Sequence, residues 1–356
     1  MSNKTYRVAM VGLSGIASGV PSQSLPGPLD RELTTSHAAC LALMPNIDVV
    51  GYCDLVQDML DNFGDAWSNL WPQAKPYTDY KKMIADTKPD ILTVATGDNR
   101  HADIVVDGAN NSVKGIFCEK PLATSMEDAN RMLMACEDNN VVLSIGHTRR
   151  WRQLYYRIKQ AIDEDAIGKL NTIIASQRGP RAMMFRNGTH ILDGICFFAG
   201  DEPAQVVAKL EDGFDDWDQY RGDGGKRPEN DPSASGLIMF KNGVRAFYNA
   251  NKKSFPSTST LTLQGEKGEI NFELNSASAT LTSSMGINGE AGTTELVPAD
   301  YQATHYVAGY EEMIRLIERG GGKSAGPGEE ARWVVQILTG FLKSHQMGSR
   351  LVDVPQ

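Results

Sequence analysis

The chain has 356 residues, of which 41% are apolar and 22% charged, a length and balance that predict a folded globular protein of two domains. Its 35 Lys and Arg stand against 44 Asp and Glu, a formal charge of -9. That balance, with no dense basic run, argues against nucleic acid, because phosphate binding draws on clustered cations.

In chain order, the first 145 or so residues alternate short apolar runs with amphipathic stretches. Tyr6–Val11, Ile47–Cys53, residues 91–95, Gly115–Cys118 and residues 141–145 read as buried strands. Helical patterns fall between them at 36–44, 56–67, Tyr80–Thr87, His101–Asn110 and 125–139. Strands alternating with helices predict a parallel sheet covered on both faces.

After Gly146 the pattern changes. A helix at Gln153–Asp163 leads to a strand at 170–177 and a short helix around 190–198. Strands at 204–210, 235–241, 244–249 and 259–264 follow through turn signals, and Gly265-Glu266-Lys267-Gly268 separates the last from another at 269–274. Asn242-Gly243 predicts a hairpin with a type I′ turn. Helices at 306–319 and 328–345 and an end segment at 351–354 close the chain. The expected class is α/β, with a dinucleotide-binding domain over 1–146 and a second domain over 147–356 built on an open, largely antiparallel sheet. Two long loops stand out, 18–36 and the acidic 211–235, the latter read equally as a substrate lid and as a loose insertion.

The five cysteines are scattered without a CxxC pair, so neither a metal site nor a disulfide framework is expected. No apolar stretch approaches the roughly 18 residues needed to cross a membrane. The start runs into a strand without a signal-peptide apolar region. The expected location is cytoplasmic.

Directly after the first strand, Gly12-Leu13-Ser14-Gly15-Ile16-Ala17 fits the Rossmann glycine pattern, with Ser14 in place of its second glycine. Such a turn lets the chain reverse tightly, and its backbone N–H groups face a pyrophosphate. The second strand ends at Asp54, where a carboxylate would accept from the adenosine ribose hydroxyls and repel a 2′-phosphate. NAD is therefore favoured over NADP. The alternative for Asp54 is a helix cap before Val56.

Residues 91–96, His101 and Cys118-Glu119-Lys120-Pro121 resemble the glucose-fructose oxidoreductase/inositol dehydrogenase family, often called Gfo/Idh/MocA. So do 144–151, 167–170, 188–193 and 324–331, in the family's order along nearly the whole chain. The resemblance implies an NAD(P)-dependent oxidoreductase acting on a secondary alcohol or ketone of a sugar, glycoside, polyol or cyclitol. It also implies a homo-oligomer, a dimer or tetramer, assembled through the open sheet. By the same resemblance Lys120 binds the substrate hydroxyl and helps move its proton, Pro121 follows a cis peptide, and Glu119 contacts the nicotinamide ribose. Thr96-Gly97-Asp98 occupies the nicotinamide-facing turn, where the family often has Thr-Pro-Asn. His101 matches a family position and also reads as a helix start. His190 is the second catalytic candidate, and Asp193 either orients it or supports the helix N-terminus. Arg149 and Trp151 could line the pocket, with Trp151 stacking on a sugar face or packing in the core.

One departure concerns Arg186. Polyol-oxidising members commonly carry Asp four residues before the histidine, and this chain has Arg there. Either His190 acts without that acid or Arg186 binds an anionic or oxygen-rich substrate group. Two other classes remain open from sequence: an NAD-using glycosidase that oxidises its sugar transiently, and a non-catalytic NAD-binding regulator.

Overall fold

The structure, a computed structural model, describes residues 4–20, 36–220, 227–285, 290–298 and 305–356. It divides into two units: residues 1–123, 127–151 and 302–328 form one, and 124–126, 152–301 and 329–356 the other.

The first unit holds a six-stranded parallel sheet of β1 (Tyr6–Val11), β2 (Ile47–Cys53), β3 (Lys75–Tyr77), β4 (Ile91–Val94), β5 (Gly115–Cys118) and β6 (Val142–Ile145). The order across the sheet is β3-β2-β1-β4-β5-β6. Its middle strands are buried throughout because both faces are covered. Around it run α1 (Gly15–Ser18), α2 (His37–Ala42), α3 (Gln57–Trp67), α4 (Tyr80–Thr87), α5 (His101–Asn110) and α6 (Met126–Asp138).

The second unit holds α7 (Gln153–Asp163), β7 (Leu170–Arg178), α8 (Thr189–Ala199) and β8 (Pro203–Leu210). These are followed by β9 (Ala234–Phe240), β10 (Arg245–Asn251), β11 (Ser259–Gly265), β12 (Gly268–Glu273), β13 (Ala279–Met285) and β14 (Glu290–Leu296). Two helices, α9 (His305–Glu318) and α10 (Gly328–Gln346), precede a short β15 (Val352–Asp353). The sheet runs β14-β13-β12-β11-β7-β10-β9-β8-β15 and is antiparallel except where β10 pairs with β7. Burial alternates strictly along β10, as expected for a sheet with one face on a core and one face open. The covered face contributes Ile173, Tyr248 and Leu261 to a core shared with Tyr155 and Ile158 of α7, Ile195 of α8 and Phe341 of α10.

Helix α9 belongs to the first unit although it lies late in the chain. Tyr306, Val307, Tyr310, Met313 and Ile314 recur at helical spacing and join a core with Tyr6, Val8 and Phe117. A division by chain order at 146 does not show this return.

Two local readings change. The hairpin between β9 and β10 forms, but only Gly243 is left-handed (φ 89°), whereas a type I′ turn needs two such residues. Phe240 N–H donates to Val244 O (2.9 Å), closing a three-residue connection with glycine at its left-handed position. The described parts of loop 211–235 are anchored: Phe214 and Trp217 are buried against each other, and Pro228–Asn230 forms a 3-10 turn. Residues 221–226 of that loop, and 21–35 of the earlier one, lie outside the described residues.

Candidate active site

The glycine turn forms as β1 ends. Gly12 has φ 85°, and a Cβ there would stand 2.6 Å from Ala95 O, so two strand ends approach more closely than any side chain allows. At Gly15, the first residue of α1, an added Cβ would meet nothing within 4 Å. The backbone is therefore open to an approaching group on that side. Ala17 is buried against the core, Ile16 is exposed, and Ser14 caps α1 without a side-chain bond. Asp54 follows β2 and is fixed beside this turn: Oδ2 accepts from Leu13 N–H (2.9 Å) and Oδ1 from Val56 N–H (3.0 Å). The carboxylate thus serves the local backbone while standing at the glycine turn, and an anion placed there suits ribose hydroxyls. These features fit a dinucleotide.

Helix α1 ends after one turn, and Ser36 caps α2. Ser36 Oγ donates to Gly19 O (2.6 Å) and accepts from Ala39 N–H (3.2 Å), tying the two ends of the intervening segment together. The long spacing between Gly12 and Asp54 therefore leaves the glycine turn intact.

Lys120 follows β5 and is only 8% exposed, despite being a lysine at a strand end. Its peptide bond to Pro121 is cis. His101 begins α5, fully buried, and its Nδ1 lies 2.9 Å from Pro121 O. A carbonyl only accepts, so Nδ1 carries the proton there. His101 thus starts the helix and braces the carbonyl next to Lys120. In the neighbouring turn Thr96 Oγ1 donates to Gly97 O (3.3 Å), and Asp98 is buried at the start of the 3-10 turn Asp98–Arg100.

Glu119 departs from expectation. Its carboxylate is turned inward, with Oε1 accepting from His37 Nε2 (3.2 Å) and Tyr306 Oη (2.5 Å). His37 Nδ1 lies 2.8 Å from Tyr310 Oη, which in turn lies 2.7 Å from Thr93 Oγ1. Burial by itself would raise the Glu119 carboxyl. The hydrogen bond and charge of His37, the charge of Lys120 and the Tyr306 hydroxyl overcome it and hold the group at about 2. A Cβ at Gly146 would come within 2.9 Å of Glu119 Oε1, so glycine there leaves room for the carboxylate. The other oxygen, Oε2, accepts from Lys120 N–H (3.3 Å).

Trp151 is likewise internal. It is 5% exposed, its ring lies 5.5 Å from that of Phe117, and Nε1–H donates to Glu312 Oε2 (2.9 Å). This packing leaves no ring face for a sugar, so the stacking role is withdrawn. Arg149 is half-buried in the same 3-10 turn, Thr148–Trp151.

The remaining candidates lie in the second unit. His190 is half-buried at the second position of α8, and Asp193 is buried one turn later. Before them Met184–Gly188 forms a π turn that runs into α8 and contains Arg186. Residues four apart share a helix face, which places Arg186 and His190 on one side. Sequence reasoning missed His37, Gly146, Tyr306 and Tyr310. A buried-helix histidine and two tyrosines on one face of α9 were visible signals, but their common target was not.

A six-stranded parallel sheet in this order, with a glycine turn after β1 and an acid after β2, defines a dinucleotide-binding protein. The family model "Oxidoreductase family, NAD-binding Rossmann fold" matches residues 29–147, and "GFO/IDH/MocA C-terminal domain" matches 155–271. The chain belongs to the GFO/IDH/MocA oxidoreductase family.

An inositol 2-dehydrogenase of Salmonella typhimurium is 33% identical over 124 residues, 35% of this chain and 36% of that protein. The matched part thus spans about a third of that relative's length. An inositol 2-dehydrogenase of Rhizobium meliloti is 26% identical over 247 residues, 65% of this chain and 71% of that protein. Among solved structures, an oxidoreductase domain protein from Kribbella flavida superposes with a TM-score of 0.76 at 16% identity, covering 99% of this chain and 100% of that one. Levoglucosan dehydrogenase in complex with NADH and levoglucosan gives 0.75 at 18% identity, with the same coverage. Among the described residues no helix is long and apolar enough to cross a membrane.

Proposed function

We propose that this protein is an NAD-dependent oxidoreductase that moves hydride between nicotinamide and a secondary alcohol or ketone of a sugar, polyol or cyclitol. The observation that carries it is a buried lysine, Lys120, at the carboxyl end of an inner strand of a dinucleotide-binding sheet. Ligands of open α/β sheets bind at the carboxyl ends of the strands.

The glycine turn Gly12–Ala17 and Asp54 would hold the dinucleotide, with Asp54 favouring the unphosphorylated ribose. Thr96, Gly97 and Asp98 form the turn beside it. When bound, the nicotinamide supplies the hydride acceptor or donor. This chain must then orient the alcohol and manage its proton. Lys120 binds the substrate oxygen and helps move its proton toward His190. His190 takes the hydroxyl proton, with Asp193 setting its helix. Arg186, where an acid is common in polyol-oxidising relatives, selects an anionic or oxygen-rich substituent and turns the reading away from plain inositols. Glu119 acts behind Lys120 as a fixed buried anion.

Incubation with NAD or NADP and a panel of sugars, sugar acids, glycosides and polyols tests this reading. The expected result is net reduction of NAD, with NADP poorer, and with a keto product. Glycoside cleavage without net reduction would point to transient oxidation instead, and binding of NAD without either reaction would reject an enzyme.

The same reading includes self-association. On the open face of the second sheet Phe247 pairs in register with Ile174 on one side and Leu237 on the other, and Leu237 with Val207. Registered partners share a face, so four apolar side chains form one transverse row. Phe247 and Ile174 are 46% and 42% exposed. We expect this row to meet a second copy. Phe247→Glu should weaken association by on the order of 100-fold, as for loss of a central apolar anchor. Light scattering behind size exclusion checks it, and a monomeric wild type would remove the idea.

A further inference from the structure

The second unit contains a device that the proposed reaction does not account for. The π turn Met184–Gly188 opens the helix bearing His190, and the first N–H groups of a helix lack intrahelical partners. Here they are met from a loop far along the chain. Asp231, fully buried, accepts from Phe185 N–H with Oδ1 (3.0 Å) and from Arg186 N–H with Oδ2 (2.8 Å). The carbonyl of Pro232 accepts from Met184 N–H (2.7 Å). Three consecutive backbone donors are thus held by two adjacent residues, although some 45 positions separate the partners. Tyr220, from the same loop, stacks on Phe185 with ring centroids 4.2 Å apart. From below, Tyr248 fits beneath Gly188, where a Cβ would lie 2.5 Å from its hydroxyl.

The loop is itself tied down where it leaves and rejoins the sheet. Glu211 forms an ion pair with the largely buried Lys252, which also donates to Pro228 O, and Ser233 Oγ donates to Glu211 Oε2 (2.9 Å). Phe214 and Trp217 pack into the core of this unit. The described segments flanking 221–226 therefore form a frame whose polar tip is Asp231.

Resting on the reading of His190 and Arg186 given above, we propose that Asp231 is a positioning residue for the reaction. Its carboxylate grips the π turn and so fixes where Arg186 and His190 stand. A carboxylate accepting two backbone N–H groups is a charge-assisted, bidentate anchor. No neutral side chain can supply two acceptors to adjacent amides in that way. Asparagine offers one acceptor and turns a donor toward the other amide, and alanine offers none. The long acidic loop thereby acts as a clamp on the catalytic helix.

The test compares Asp231→Ala and Asp231→Asn with the wild type in kcat and KM for the best alcohol of the panel, in NAD affinity, and in amide exchange over residues 183–190. A misplacement of about 1 Å can cost on the order of 100-fold in rate. We expect Asp231→Ala to lose 10- to 100-fold in kcat, Asp231→Asn to recover part of that loss, and NAD affinity to stay within about twofold. Amides of Phe185 and Arg186 should exchange faster in the same order. Turnover by Asp231→Ala within twofold of wild type overturns the positioning role alone, as does unchanged exchange at 183–190. If the alanine variant does not fold, Asp231→Asn decides on the same readouts. A wild type that turns over no member of the panel overturns the functional reading and the positioning role together.

Discussion

Lys120→Met is expected to lower kcat by about 10²–10⁴-fold, the range for losing a positioned proton-transfer group, while leaving NAD affinity within a few-fold. Methionine keeps the length and apolar stem of a side chain that is 8% exposed, so the variant removes the ammonium and little packing. The backbone around it is independently held, since His101 braces Pro121 O and Glu119 is anchored by His37 and Tyr306. The glycine turn lies on the β1 side of the sheet and depends on none of these contacts. A cofactor titration should therefore report binding unchanged while steady-state kinetics report the loss. Lys120→Arg sharpens the result. It keeps the charge but cannot release a proton near neutral pH, so a variant rescued by arginine would mean that Lys120 only holds oxygen. If Lys120→Met turned over within tenfold of wild type, the lysine would be a buried structural cation and the proposed chemistry would lose its centre.

The strands that position this lysine were legible because a parallel sheet covered on both faces leaves short, mostly apolar runs, as in Ile91–Val94 and Gly115–Cys118. Strand β3 was not legible: Lys75–Tyr77 is a short edge with Lys75 and Pro76 exposed, and its pairing to β2 is dictated by the sheet already present. Strands β13 and β14 were missed for a similar reason. They are rich in Ser, Thr and Gly and lie at the sheet's far edge, so no apolar alternation marks them. At the candidate site, local motifs announced Gly12, Asp54 and Lys120 because each lies where its own strand ends. The partners of Glu119 stayed hidden because His37 and Tyr306 lie 82 and 187 positions away, joined only when α9 returns to the first unit. Asp231 was hidden in the same way, inside a loop whose composition read equally as a substrate lid and as a loose insertion. Trp151 stayed open between two readings, since an aromatic beside a motif looks the same in sequence whether it faces a ligand or Phe117.

His37→Leu should destabilise the protein by about 3 kcal/mol near neutral pH, the cost of leaving a buried carboxylate without one of its hydrogen-bond donors. The magnitude follows from what opposes what at Glu119. Burial raises this carboxyl, and the hydrogen bond and charge of His37, with help from Lys120 and Tyr306, outweigh burial and hold it at about 2 instead of its ordinary 4.5. A folded-state value below the unfolded one means that the ionised carboxylate stabilises the fold above about pH 4.5, and that this contribution is lost as pH falls toward 2. The shift corresponds to on the order of 3 kcal/mol. With His37 gone, burial wins and the folded-state carboxyl rises above its ordinary value, which reverses the sign. Acidification then protonates Glu119 in the folded variant and relieves the unpaired charge. The stability gap between His37→Leu and wild type should therefore narrow from about pH 7 to about pH 4, as read from denaturant midpoints. Adding Glu119→Gln to His37→Leu should recover much of the loss at neutral pH, because the charge that had become unpaired is no longer there. Tyr306→Phe, which removes one donor from the same Oε1, should show the weaker form of the effect. A gap that stays constant with pH, and a double variant no more stable than His37→Leu, would place the cost in lost packing and leave Glu119 without the buried charge on which Lys120 is built.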